Sequence, residues 1–237
     1  MRTQTTPYGG RMARRKPGAR IALYLLAAAL FALAPAAAVA QDVPVATAVL
    51  YEVRETVDCN PGDGTNPDCS DANAHGFGTR IADATLQGCI RSETIPQLNG
   101  VIDAEAASIL SRVDWTGPAH GKLSVNSGGV HAVFSGQLNL SLAILGGTPI
   151  APISGHWRGT KGTLRSGGRF EGVFLIPFQL EPGGPWFYLA LGPDGRPTGQ
   201  VVPLDTEGDC RSCDPALTAD FCGGVPAVKL VVAFYDR

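Results

Sequence analysis

Apolar and polar residues alternate along much of this chain, and the dominant period is two. Val45, Thr47, Val49, Tyr51 and Val53 fall on one side of a run that puts Glu52 and Arg54 on the other. Leu138, Leu140, Leu142 and Ile144 alternate with Asn139, Ser141 and Ala143. Phe170, Gly172, Phe174, Ile176 and Phe178 share a face, as do Val228, Leu230, Val232 and Phe234. A period of two held over five or more residues predicts a strand with one buried face.

Turn chemistry separates these runs. Ser127-Gly128-Gly129, Gly146-Gly147-Thr148-Pro149, Ser166-Gly167-Gly168, Glu181-Pro182-Gly183-Gly184-Pro185 and Gly192-Pro193-Asp194-Gly195 lie between the apolar stretches. Glycine supplies the positive φ that tight hairpin connections need. The region from about Leu123 to Leu191 therefore reads as an antiparallel meander of at least five strands. Glycines also fall inside the predicted strands, at 136, 155, 159, 162 and 172. Strand glycines suit places where a sheet bends sharply, as at barrel corners. The expected fold is all-β: an antiparallel meander closed into a small barrel, with a β-sandwich as the alternative.

One segment reads two ways. Ile102, Ala106, Ile109, Leu110 and Val113 keep helical spacing, with Asp103 at a capping position and Glu105 in the first turn. That predicts a short helix near 103–112. The same stretch also reads as a strand carrying Ile109, Ser111, Val113 and Trp115 on one face.

The first 40 residues differ from the rest. They hold Arg11, Arg14, Arg15, Lys16 and Arg20, then an uncharged run from Ile21 to Ala34, then Ala38-Val39-Ala40. A basic start, a short apolar run and a small-x-small end predict a cleavable export signal over 1–40. The apolar run is shorter than the roughly 20 residues a membrane-spanning helix requires. Residues 41–237 are then one β-rich domain, placed in the periplasm or outside the cell. That part carries a formal charge of −8. An acidic surface makes nucleic acid an unsuitable partner, and membrane contact is expected only through the signal segment before cleavage.

All six cysteines lie in the exported part: Cys59, Cys69, Cys89, Cys210, Cys213 and Cys222. An even count in an exported chain predicts disulfides, with the connectivity open. Two stretches, near 58–78 and 193–226, are long and irregular, and both carry cysteines. The first offers Asp58, Asp63 and Asp68 as hard oxygen ligands for Ca²⁺, but its spacing misses the EF-hand pattern. The simpler expectation is a turn closed by Cys59 and Cys69. Cys210-Arg-Ser-Cys213 has the spacing of a zinc knuckle or a redox motif, yet it lacks a second knuckle and is flanked by Asp209 and Asp214. A nearby carboxylate raises a thiol pKa and so disfavours the reactive thiolate. No cofactor is expected.

Candidate chemistry is sparse. His156 and Arg158 share a face of one predicted strand, and Glu171 lies on the next. His, Arg and Glu together suit acid–base work or the holding of an anion. No G-x-S-x-G, HExxH or P-loop occurs. Trp157, Trp186 and Tyr188 are the candidate ligand-binding aromatics, with Phe187 beside them. The leading expectation is a small-ligand-binding or structural module, with a small apolar ligand in the barrel. The alternatives are a secreted enzyme built on His156, Arg158 and Glu171, or an interaction module acting through an exposed aromatic cluster.

Overall fold

The computed structural model describes residues 43–60, 78–125, 129–161, 163–193 and 195–236. The predicted export signal falls outside these, as do Asp63, Asp68 and Cys69. Seven strands follow one another as a meander: β1 (Ala46–Asn60), β2 (Thr79–Arg91), β3 (Gly100–Ser111), β4 (Thr116–Val125), β5 (Val130–Asn139), β6 (Ile150–Lys161) and β7 (Leu164–Leu175). The chain then makes an excursion through β8 (Phe178–Gln179), β9 (Trp186–Leu191), β10 (Pro197–Pro203), β11 (Phe221–Cys222) and β12 (Val225–Pro226). It returns as β13 (Lys229–Asp236), which pairs antiparallel with both β7 and β1 and closes an eight-stranded barrel. The all-β barrel expectation holds.

The interior is built from one set of alternate positions. Ala46, Ala48, Leu86, Ile90, Ile102, Ala104 and Ala119 of β1–β4 face inward with Ile153, Phe170, Val232 and Phe234. The division of sizes is physical. An eight-stranded barrel is just wide enough for side chains to fill it, so rings on one side require small residues opposite. Phe134 meets Phe170 edge-on at 5.9 Å between ring centres, and Trp157 meets Phe234 at 6.1 Å. Gly136 and Gly155, directly paired, let β5 and β6 approach beside these rings. A Cβ on Gly155 would lie 2.2 Å from Ser135 O.

This packing inverts the expected phase of β1. Ala46, Ala48 and Leu50 point inward, and Val49 is exposed. The rings opposite leave room for alanine rather than for valine and tyrosine. Tyr51 is buried all the same, because the excursion covers its side of the sheet.

The helix expected near 103–112 is a strand, β3. Ile102 and Leu110 are wholly buried on its inner face. Ladder partners on both sides outweigh the helix propensity of its alanines. The strand reading also overran, because the ladder stops at Ser111. Val113 is exposed, while Trp115 adopts φ 58° and is buried. The expected strand over Leu138–Ile144 ends early too. Asn139 Oδ1 accepts hydrogen bonds from Ser141 N at 2.9 Å and Ser141 Oγ at 2.5 Å. That local side-chain turn competes with the ladder and starts a single helical turn, α1 (Ser141–Ile144). The Phe170–Phe178 run likewise divides, with β7 ending at Leu175 and Phe178 opening β8.

The excursion lies against the outer face of the barrel on one side. Tyr188 and Leu204 pack with Ile150 and Leu175, and Val173 and Val231 join them. Cys210 and Ala227 pack on Tyr51. Disulfides Cys89–Cys213 and Cys210–Cys222 fix it there. These disulfides, both among the described residues, are consistent with an exported protein. The outer face is therefore apolar where the excursion covers it and mainly polar elsewhere, with Ile109 and Val133 among the exposed apolar exceptions.

Candidate functional site: a two-row polar face

The uncovered outer face runs across β2–β7, and its side chains line up in register. One cross-strand row reads Gln87, Asp103, Ser124, His131, Thr160 and Arg165, each residue directly opposite the next. The row beside it reads Thr85, Glu105, Lys122, Val133, Arg158 and Gly167. Together they line an open depression of about 1370 Å³. A smaller one of about 740 Å³ adjoins it, sharing Thr85, Glu105, Lys122 and Val133 and adding Arg54, Asp83 and His120.

Charge is sorted along these rows. The carboxylates Asp103 and Glu105 both sit on β3. Lys122 is on β4, His131 on β5, Arg158 on β6 and Arg165 on β7. Gln87 Nε2 donates to Asp103 Oδ1 at 2.9 Å, and Lys122 pairs with Glu105 at 2.9 Å. Both ends of that ion pair are about two-thirds exposed, so it fixes orientation more than stability.

Sequence reasoning missed most of this site. Reading β3 as a helix assigned Asp103 and Glu105 to a cap and a first turn, whereas on a strand they become neighbours on one face. His131, Lys122 and Arg165 carried no motif. The usable signal was the polar phase of each strand, and it became a site only through register.

His156, Arg158 and Glu171 do share the outer face. His156 lies directly opposite Arg169, and Glu171 is opposite Ser154. Glu171 is held by Arg169 at 2.5 Å, and that guanidinium also stacks 4.0 Å over the Tyr235 ring. Arg158 joins the two-row face instead. The aromatic candidates divide. Trp157 points into the barrel and donates its indole N–H to Tyr235 O at 3.1 Å. Trp186 and Tyr188 pack between the excursion and the barrel. Asp58 is exposed on β1. Among the described residues no cluster of three or more metal-ligating side chains occurs.

Two further ionisable groups stand apart. Asp220, in the excursion, accepts from the Tyr51 hydroxyl at 3.0 Å and from Asp205 N at 2.9 Å, and it pairs with Lys229. Lys229 also sits 4.6 Å over the Tyr188 ring. Burial, with the Asp220 charge beside it, pushes the Tyr51 hydroxyl well above the ordinary phenol range. Glu52 lies opposite Leu86 at the bulge that shifts the β1–β2 register. Burial and the nearby Glu55 raise its carboxyl to about 7, against the opposing pull of Arg80.

Comparison with known proteins finds no match: no family model, no curated protein and no solved structure is similar to this chain.

Proposed function

We propose that this protein is an exported, disulfide-stapled barrel that binds a polar ligand on the two-row face of β2–β7. The observation that carries the reading is the alignment of ionic and hydrogen-bonding side chains around one open depression. A binding site needs a concave surface and a few placed polar groups. The two rows form the walls of a groove on the outer side of the barrel, and the excursion, which covers that side around Tyr51, Ile150, Leu175 and Val231, leaves it clear. The barrel axis, where an apolar ligand was expected, is occupied by the rings of Phe134, Phe170, Trp157 and Phe234. Export is supported by the basic and apolar start of the chain and by the two disulfides.

Catalysis by His156, Arg158 and Glu171 draws support from their shared face. It is the weaker reading, because Glu171 is committed to Arg169. Docking through the aromatic cluster is weaker still, since Tyr188 is buried and donates its hydroxyl to Ala227 O at 2.6 Å.

The test is a screen of polar metabolites and short glycans against the purified protein by amide chemical-shift mapping. Hits that perturb β3–β7 at the two rows, and that vanish in a Ser124→Trp variant blocking the depression, support the reading. Hits that map to the excursion, or that survive the block, end it.

A further inference from the structure

We propose that the β5–β7 end of this face is an anion site, in which Arg158 and Arg165 grip the carboxylate or tetrahedral oxyanion of a small ligand. The inference rests on the polar-ligand reading and names the chemistry of that ligand.

Most of the other cations on the barrel already have a partner. Arg80 pairs with Glu55, Lys122 with Glu105, Arg169 with Glu171 and Lys229 with Asp220. Among the described residues Arg54, Arg91, Lys161, Arg158 and Arg165 form neither an ion pair nor a side-chain hydrogen bond, and of these only Arg158 and Arg165 line the larger depression. Register brings them together. Thr160 has His131 and Arg165 as its direct cross-strand neighbours and Arg158, two residues before it, as the next residue on its own face. Diagonal neighbours on a sheet sit roughly 7–8 Å apart at Cβ, within reach of long side chains.

Gly167 keeps this end open. It is the residue opposite Arg158, and a Cβ there would stand 2.7 Å from Trp157 O and 3.3 Å from Arg158 Cγ. Any side chain at 167 would crowd the aliphatic stem of Arg158. The balance of charge also favours an anion. Asp103 and Glu105 are on β3, three strand spacings or about 14 Å from β6. Asp236, the carboxylate that lines this end, has a partner of its own. A planar guanidinium fork matches the paired oxygens of a carboxylate or phosphate.

The experiment titrates the purified protein with sodium phosphate, sodium sulfate, sodium acetate and a neutral disaccharide, at constant ionic strength, and follows the backbone amides. The variants are R158Q/R165Q, the charge-keeping R158K/R165K, and R91Q, a control on the exposed end of β2. The expected result is saturable movement of the His131, Thr160 and Arg165 amides by the anions. Affinity should fall roughly tenfold or more in R158Q/R165Q, fall less in R158K/R165K and hold in R91Q, as for loss of charge-assisted hydrogen bonds. Disaccharide binding that is equal in wild type and R158Q/R165Q, with no response to anions, overturns the anion site and leaves the polar-ligand face standing. A face silent to every compound, in this titration and in the metabolite screen, overturns both. Non-saturating shifts spread over the whole surface mean an adventitious ion only. Co-sedimentation with phosphatidylglycerol vesicles, without any response to soluble anions, replaces the small ligand by a lipid headgroup and overturns the proposal as stated.

Discussion

The Tyr51 hydroxyl donates to Asp220 Oδ1 at 3.0 Å, joining residues 169 positions apart and fastening the excursion to the barrel wall. Asp220 answers three partners there at once: Tyr51, Lys229 and the backbone of Asp205. Tyr51→Phe removes one of them and should destabilise the protein by about 2 kcal/mol, the worth of a hydrogen bond to a charged group. Asp220→Ala should cost about 3–5 kcal/mol, because it strands Lys229 in a low-exposure site without its counter-charge. Urea unfolding measures both. Equal small losses for the two variants would mean that the cluster is solvated and holds nothing.

Glu52 gives the stability curve a pH dependence of known sign. Its carboxyl is raised in the folded state to about 7, from an ordinary 4.5. The folded protein therefore holds this proton more tightly than the unfolded chain does. The resulting advantage is complete below pH 4.5 and is lost as pH rises through 7. Glu52→Gln, which cannot ionise, should match wild type near pH 4. Near pH 8 it should exceed wild type by about 1–3 kcal/mol, allowing for the residue's partial exposure. Thermal unfolding at the two pH values decides, and a variant that gains nothing at pH 8 would show that Glu52 is well solvated.

The two disulfides among the described residues should differ in worth. Cys89–Cys213 spans 124 positions and Cys210–Cys222 spans 12. The loop-entropy estimate assigns them about 5 and about 3 kcal/mol. Replacing Cys89 and Cys213 together by alanine should lower the urea midpoint more than replacing Cys210 and Cys222. Peptide mapping without reductant should recover the 89–213 and 210–222 links. Recovery of a 210–213 link instead would refute the pairing on which this ranking stands.

Gly155 and Gly129 should respond very differently to alanine. At Gly155 the added carbon meets Ser135 O at 2.2 Å and the Gly136 Cα at 2.4 Å, both backbone atoms that cannot step aside. At Gly129 nothing lies within 4 Å, and only the backbone angle of +57° is disfavoured. Gly129→Ala should cost about 1–2 kcal/mol, as for an alanine in the left-handed region. Gly155→Ala should cost several times more or prevent folding. Soluble yield and urea midpoints compare the two, and a Gly155→Ala protein as stable as Gly129→Ala would mean that β5 and β6 do not approach as described.

Much of the fold was legible because period-two patterning and glycine punctuation are local properties. The β13 run from Leu230 to Phe234 and the β7 face through Phe170, Gly172 and Phe174 fall as their pattern predicts. Reading failed where two faces are covered or where a short-range bond intervenes. On β1 the outward set of Val49 and Tyr51 looked like the core side, because Tyr51 is large and packs under the excursion while Val49 stays exposed. At Asn139 a side-chain turn ended a strand whose hydrophobic alternation continued. On β3 an alanine-rich stretch fitted a helix until its pairing partners were known.

By itself the sequence determined an all-β chain with strand glycines at its bends and enough cysteines for several cross-links. Those features follow from propensity and from the period of the side chains, which neighbouring residues set. The tertiary structure alone decided which cysteines pair, which face of each strand turns inward, and that Asp103, Lys122, His131, Arg158 and Arg165 belong to one surface. Register is the reason. A shift of one residue in any ladder sends that strand's polar side chains to the opposite face, and the register of each strand is set by its packing against all the others.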